Sequence, residues 1–522
     1  KVRKLKISRQ AIDRILKRWG LLGSDFERIS LDEYIGVQEM PSDNFTEFIT
    51  AKNQIDDIKL LDSYRMNRHF SAIYAKMRHR EFSICDPGPI LLAPFVNALG
   101  IMEALEVHGP AKSRGEEISN LILLNVFRII AGYKSVDHLS DNADRSVAFA
   151  SGIGMFGSSS KYYNNTLDFS FEHLHKLKLD LLANAKNLGI VKGERMAFDF
   201  KLKEFYGSHS YDKLVGKGPD KAGNQVPAFR PHLAWDLDCN NILNITFFNG
   251  GKRAGNTLKN FCEDHLFSVL NPLAVKEIYM DSEYTKESLF KYLKVEKCFN
   301  GDLYVCLKRN KQIEKIIKPA LDLKDESWVS INSNDEYHLL KTTLPNTKLF
   351  LSIMIIRNKE SKKNIRCFAS TKDEQNDNIT EKYPFRWLIE NGIKDLVYSY
   401  SVENFASYDP KKMELELYCV MIAKMAYELF LKTLGGPLFC SIEGNKKTLG
   451  AMRHLLFEKR NCTISLNEKK DFSLTFKDAS GIENSLEKQI VDLFNKMMEE
   501  GKNKVLWWNN KGLVLDFKNQ YQ

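Results

Sequence analysis

Near the start of the chain, apolar residues recur at helical spacing. Ala11, Ile12, Ile15, Leu16 and Trp19 share one face between Ser8, a candidate N-cap, and Gly20, a stop signal. The same period predicts helices over 116–131, 136–141 and 169–188, so the chain before Lys192 reads as mostly helical. From Arg195 the pattern changes. Met196 to Phe200, Leu233 to Leu237 and Ile242 to Phe248 read as strands, followed by a helix over 256–270, a strand over 276–280, a helix over 285–295 and a strand over 303–307. Three strands and then alternating helix and strand predict a mixed sheet with helices on its faces. Residues 310–371 turn strand-rich, over 337–343, 348–356 and 365–370, and read as a β insertion; helix returns at Pro384, a residue favoured in a first helical turn.

Turn-forming clusters divide this pattern. Asp86-Pro87-Gly88-Pro89 and Gly109-Pro110 read as turns or linkers, and Gly435-Gly436-Pro437 sets off a small carboxy-terminal region. The expected organisation is multidomain α/β: an amino-terminal region over 1–86, a helical region over 87–191, a core in two parts over 192–308 and 372–438, the β insertion over 309–371 between them, and a carboxy-terminal region over 439–522. In the last of these, Leu486, Ile490, Leu493, Phe494 and Met497 form an amphipathic helix that packs internally or meets a second subunit, the former being preferred; Trp507-Trp508 reads as an anchor. Gly152-Ile-Gly154-Met-Phe-Gly157 spells a dinucleotide-binding fingerprint, but no strand precedes it and three serines follow, so that function is set aside.

Composition adds a lean. The net charge of +9 suits a polyanionic partner without choosing among DNA, RNA and a membrane surface. Around the first helix, Lys1, Arg3, Lys4, Lys6, Arg9, Arg14, Lys17 and Arg18 face a single Asp13, which suits a helix-turn-helix-like unit whose edge meets DNA phosphates and bases; a solvated basic helix end is the plainer alternative. The nine cysteines are scattered, with no C-x-x-C pair, which fits a reducing cytosol rather than zinc or a disulfide framework. The apolar runs 118–130 and 418–431 contain Asn120, Asn125, Arg128, Lys424 and Glu428, so neither reads as a membrane span, and no signal-peptide pattern is present. The chain opens on Lys1 within a basic segment, so further residues are expected upstream.

Three carboxylates stand out. Asp199 lies among Met196, Phe198 and Phe200, where an uncompensated charge is costly. Asp281 follows the apolar strand Ile278-Tyr279-Met280, at a strand end of the kind where ligand sites gather. Glu390 lies on a helix whose buried stripe is Phe385, Leu388, Ile389, Ile393 and Leu396, and spacing of four sets Arg386, Glu390 and Lys394 along one edge. Taken singly, each has an ordinary explanation as a cap, a surface charge or a salt bridge. Converging at one sheet end, they would make an oxygen-rich site suited to two Mg²⁺ or Mn²⁺ ions, ~3.5 to 4 Å apart, for in-line displacement at a phosphodiester.

The run from Arg195 to Gly436 resembles the cut-and-paste DDE transposases of bacterial insertion sequences, with an RNase H-like core interrupted by a β insertion before the last glutamate. Their glutamate helix carries Y-x₂-R-x₃-E-x₆-K, and Tyr383, Arg386 and Glu390 match its spacing; Val397 stands at the lysine position, leaving Lys394 as the substitute for gripping a phosphate. The resemblance implies Asp199 as the first aspartate, with Asp236 and Asp238 as competitors, and Asp281 as the second. It implies that Tyr383 and Arg386 position DNA phosphates and that a tryptophan, here Trp328, stacks on a displaced base, although a core role is the stronger reading for that residue. It further implies strand cleavage at element ends, joining of the 3′-OH to target DNA, a homodimer holding two double-stranded ends, and a cytoplasmic, nucleoid-associated location in bacteria. A structure-selective nuclease without strand transfer and a domesticated, non-catalytic DNA-binding protein are the alternatives.

Overall fold

The computed structural model describes residues 81–110, 118–142, 145–153, 162, 168–201, 203–207, 214–219, 222–252, 254–344, 346–374, 378–402, 409–434, 448–454, 462–469, 471–476 and 482–517. The basic amino-terminal helix, with Arg9, Arg14, Lys17 and Arg18, lies outside the described residues.

The described chain opens with strand β1 (Phe82–Ile84), followed by helices α1 (Gly88–Ala98), α2 (Ile101–His108), α3 (Ile118–Ala131), α4 (Asp137–Asn142), α5 (Arg145–Ala150) and α6 (Phe171–Asn187). The Asp86–Pro89 cluster, expected as a linker, is instead the start of α1, because Pro89 in the first turn lacks only a hydrogen bond the helix would not make there. Ser170 begins α6 with a capping box: its side chain accepts from His173 N at 3.1 Å, and His173 Nδ1 accepts from Ser170 N at 3.3 Å.

The strands expected from Arg195 onward all form: β2 (Arg195–Phe200), β3 (Gln225–Asp236), β4 (Asn241–Asn249), β5 (Glu277–Met280) and β6 (Asp302–Leu307), with α7 (Ala254–His265) and the short α8 (Glu287–Lys291) between them. Then come α9 (Lys311–Leu321) and the insertion strands β7 (Asp335–Thr343), β8 (Phe350–Asn358) and β9 (Arg366–Ser370). Helix α9 departs from the strand-rich expectation: Asn310 caps it through Gln312 N and Ile313 N, both at 2.9 Å, and Ile313, Ile317 and Ala320 form its buried face. The chain continues through α10 (Trp387–Tyr400), α11 (Pro410–Leu434), β10 (Cys462–Leu466), β11 (Phe472–Phe476), α12 (Ile482–Glu499) and β12 (Lys511–Phe517).

Among the described residues the strands make two sheets. In the larger, of eleven strands, β3 lies antiparallel to both β4 and β2, while β2, β5 and β6 run parallel; β6 continues through β9, β8 and β7. Three antiparallel strands joined to a parallel pair are the RNase H-like core, and the insertion extends that same sheet rather than making a second one. Helix α7 covers one face, with Phe261 against Phe198 at 6.2 Å between ring centroids, and α10 the other, where Gly392 meets Trp235. The smaller, five-stranded sheet includes β1, β10, β11 and β12, so residues near 82 pair with the carboxy-terminal region. That region is not set apart: Trp507 and Trp508 are buried and donate through Nε1 to Ala150 O and Phe149 O of the helical layer. Buried Ile490 and Phe494 turn α12 inward, with Phe494 edge-on to Phe95 at 6.1 Å.

Helix α11 lies between the large sheet and the helical layer, and its polar residues are paired. Glu414 takes the Lys178 ammonium and Phe247 N, Glu416 takes Arg128 at 3.3 Å, and Lys424 reaches Asp395 at 3.0 Å and Glu428 at 2.8 Å. Charges that mark this run as unsuited to a bilayer are therefore ties between α11 and the elements packed on it. Among the described residues, no single helix is long and apolar enough to cross a membrane.

Candidate active site

The core sheet brings the two aspartates together by register. Strands β2 and β5 are parallel, with Phe198 beside Met280, so Asp199 and Asp281 follow one another across adjacent strands at the same sheet end. Alternation along β2 turns Asp199 to the face that also carries Trp235, the face covered by α10. A Cβ at Gly392 would lie 2.5 Å from the Trp235 ring, so only glycine lets the helix approach this closely. That approach brings Glu390 to the acidic end of the sheet.

Asp199 keeps 17% side-chain exposure, and its Oδ1 accepts from Phe200 N at 2.7 Å. Burial, reinforced by the charges of Asp281 and Glu390, raises its carboxyl to about 6 against the pull of the Phe200 N–H and of Arg386. Asp281 precedes the 3-10 turn Ser282–Tyr284, and its carboxylate makes no hydrogen bond among the described residues. Arg386 links the other two: its Nη2 donates to Glu390 Oε1 at 2.5 Å and its Nη1 lies 3.9 Å from Asp199 Oδ2, while its Nε is buried without a partner. The donor set, three hard carboxylate oxygens with one uncommitted and one 43% exposed, fits a divalent cation of the Mg²⁺ or Mn²⁺ kind. Among the described residues, no three Asp, Glu, His or Cys side chains stand close enough to close on a single ion, and Glu390 is paired with Arg386.

The remaining expected contacts sort by burial. Tyr383 is buried, with its hydroxyl donating to Met280 O at 3.3 Å, its ring 4.8 Å from Phe368 and the Arg386 guanidinium 5.6 Å from its centroid. In this arrangement it ties the α10 approach to the strand end before Asp281 and presents no hydroxyl to solvent. Trp328 is likewise buried; the Arg357 guanidinium occupies its face at 3.7 Å, so no base can stack there as it stands. Lys394 is exposed, one turn beyond Glu390. Val397, at the lysine position of the motif, lines a cleft of about 50 Å³ with Leu233, Ile245, Ile393 and Leu417, which Lys201 and Lys203 also border. Of the expected buried stripe, Ile389 and Leu396 are buried but Phe385 is 40% exposed.

Asp236 and Asp238 are structural. Asp236 accepts from the backbone N–H groups of Lys192, Gly193, Asp238 and Cys239, and Asp238 pairs with Arg195 at 2.7 Å. Sequence reasoning passed over Gly392, although a glycine within a helix whose loss would block close approach is a readable signal. It also passed over the shared role of Arg386, which spacing of four with Glu390 indicated only in part.

Residues 197–425 match the protein family described as Transposase DDE domain. Among solved structures, the chain is similar to a piggyBac transposase determined by cryo-EM as a synaptic complex with hairpin DNA, at 13% identity and a TM-score of 0.37, over 67% of this chain and 82% of that chain. No curated protein matches the chain.

Proposed function

From the premise that residues 197–425 belong to the transposase DDE domain family, we propose that this protein cleaves DNA at the ends of a mobile segment and joins the freed 3′-OH to a target strand. The observation that carries this reading is the placing of Asp199 and Asp281 at neighbouring parallel strand ends with Glu390 on the helix packed over them, Arg386 lying between Asp199 and Glu390.

Asp199, Asp281 and Glu390 would hold the metal. Bound there, Mg²⁺ or Mn²⁺ supplies Lewis-acid stabilisation of charge on the attacking and leaving oxygens of an in-line displacement. Arg386, released from Glu390, has a guanidinium fork suited to a phosphate's two oxygens. Lys394 stands one turn further along the helix as a point charge for the next phosphate. Tyr383 holds the Met280 carbonyl, and with it the backbone leading to Asp281. In this reading the basic segment within 1–86 reads the element ends, two copies act together on two double-stranded ends, and the insertion over 309–371 flanks the cleavage site.

The test is transfer of a labelled 3′ end into target DNA by purified protein with Mg²⁺. Asp199→Ala should abolish both cleavage and joining while keeping duplex binding. Cleavage without joining would leave a structure-selective nuclease; undiminished cleavage in Asp199→Ala would overturn the acidic site.

A further inference from the structure

Among the described residues, five arginines are buried: Arg128, Arg230, Arg357, Arg386 and Arg453. Four have partners. Arg128 bonds to Asn125, Tyr133 O and Glu416; Arg357 to Glu336 and Asp325; Arg386 to Glu390; and Arg453 to three backbone carbonyls. Arg230 has none. It is 7% exposed, its Nε is fully buried without a hydrogen-bond partner, and no carboxylate lies within ion-pair distance. Its guanidinium lies 4.5 Å over the Phe200 ring, and the acid whose charge reaches it, Glu283, is paired with Lys308 at 3.2 Å. Burial lowers its pKa, as expected of a cation without a counter-charge.

A buried charge left without a partner is costly, and native proteins pair it or use it. The location of Arg230 says for what. Phe200 beneath it is the residue after Asp199, and Glu283, whose charge acts on it, follows Asp281 by two residues. The guanidinium therefore stands beside the acidic strand ends, on the face opposite Asp199, since successive side chains alternate.

We propose that Arg230 receives a backbone phosphate of the DNA strand next to the one being cut. The inference rests on the DNA-cutting reading above. The planar fork, its carbon 4.5 Å from the Phe200 ring centroid, carries paired N–H donors that match two phosphate oxygens. The contact with Phe200 holds the cation in place before DNA arrives.

The experiment compares wild type with Arg230→Met and Arg230→Lys in metal-free full-length protein. Thermal unfolding is measured with and without inorganic phosphate, and binding of a short fluorescent duplex is measured across a salt series. In Arg230→Met the melting temperature should rise, because a charge without a partner is gone. The slope of log affinity against log salt should fall by about 0.9, the share of one phosphate contact. Arg230→Lys should keep most of that slope, and inorganic phosphate should stabilise wild type but not Arg230→Met. A lower melting temperature in Arg230→Met with an unchanged slope would overturn the proposal and make the guanidinium a structural prop. Stabilisation by inorganic phosphate with an unchanged DNA slope would overturn it in favour of a free-anion site. Wild-type protein with no salt-dependent duplex binding would instead remove the underlying reading, and this proposal with it.

Discussion

Asp199 bears a charge that the folded protein opposes. Its carboxyl stands at about 6 against an ordinary 3.8, so the folded state binds its proton more tightly than the unfolded chain does. The resulting cost is absent below about pH 4, grows as pH rises towards 6, and is then complete at about 3 kcal/mol. Without metal, Asp199→Asn should therefore be more stable than wild type at pH 7 by an amount of that order, read from urea midpoints. With Mg²⁺ present, the same variant should lose cleavage by roughly 10³-fold or more, because Lewis-acid stabilisation worth several kcal/mol is lost. A variant at once firmer and inactive is the signature of a site strained for use. At this scale the sequence was legible where spacing and burial carry the message: the three acids, the arginine four before the glutamate and the apolar surroundings of Asp199. It was silent on Arg230 and on the inward hydroxyl of Tyr383. Partners brought together by sheet register, rather than by chain distance, leave no local pattern.

Helix α10 meets the sheet at one glycine. Gly392→Ala places a methyl within the Trp235 ring, and overpacking of this kind costs about 1 to 3 kcal/mol. The helix would move away and carry Glu390 with it. Cleavage should fall more steeply than duplex binding, measured on the same protein preparation. A second element, α11, depends on a buried pair. Lys178→Met leaves Glu414 buried without its cation and should cost about 3 to 5 kcal/mol by chemical denaturation, while Lys178→Met with Glu414→Leu should recover most of it. Element types along the core followed from periodicity, because each strand there has a consistent apolar pattern. Helix α9 did not, since Ile313, Ile316, Ile317 and Ala320 make one short apolar face in a stretch flanked by strands, too brief a repeat to stand out from them. The length of β3 was also missed: before Leu233, Pro227 and Pro231 interrupt the run, and the consecutive buried residues Ala228, Phe229 and Arg230 give no alternation to read.

Across the whole molecule, two neutral histidines set the acid limit. His232 is fully buried, with Thr257 Oγ1 2.6 Å from its Nε2, and burial lowers it to about 3; His265, beside His175, is lowered to about 3 by burial and by the neighbouring charges. Such groups take up protons in the unfolded chain from about pH 6.5 downward but not in the folded one, so stability is lost as pH falls from 6.5 towards 3. Two shifts of this size outweigh the opposite, smaller effect of Asp199. The free energy of unfolding should therefore decline on the acid side, and His265→Gln should flatten that decline. The domain plan was the least readable level. The boundary expected at Gly435-Gly436-Pro437 lies outside the described residues; beyond it, Trp507 and Trp508 bond to the helical layer and β1 pairs with the carboxy-terminal sheet, contacts between residues far apart in the chain that no local pattern announces.

Helix α11 spans 25 residues, about 37 Å, with the catalytic sheet on one side and the helical layer on the other. Its charges mesh with both, like keys cut into a shaft. A slide by one turn, or a partial rotation, would strand Glu414, Glu416 and Lys424 in oil at the same moment. The two layers are thus held in one register, and neither can shift along the shaft without parting these ions.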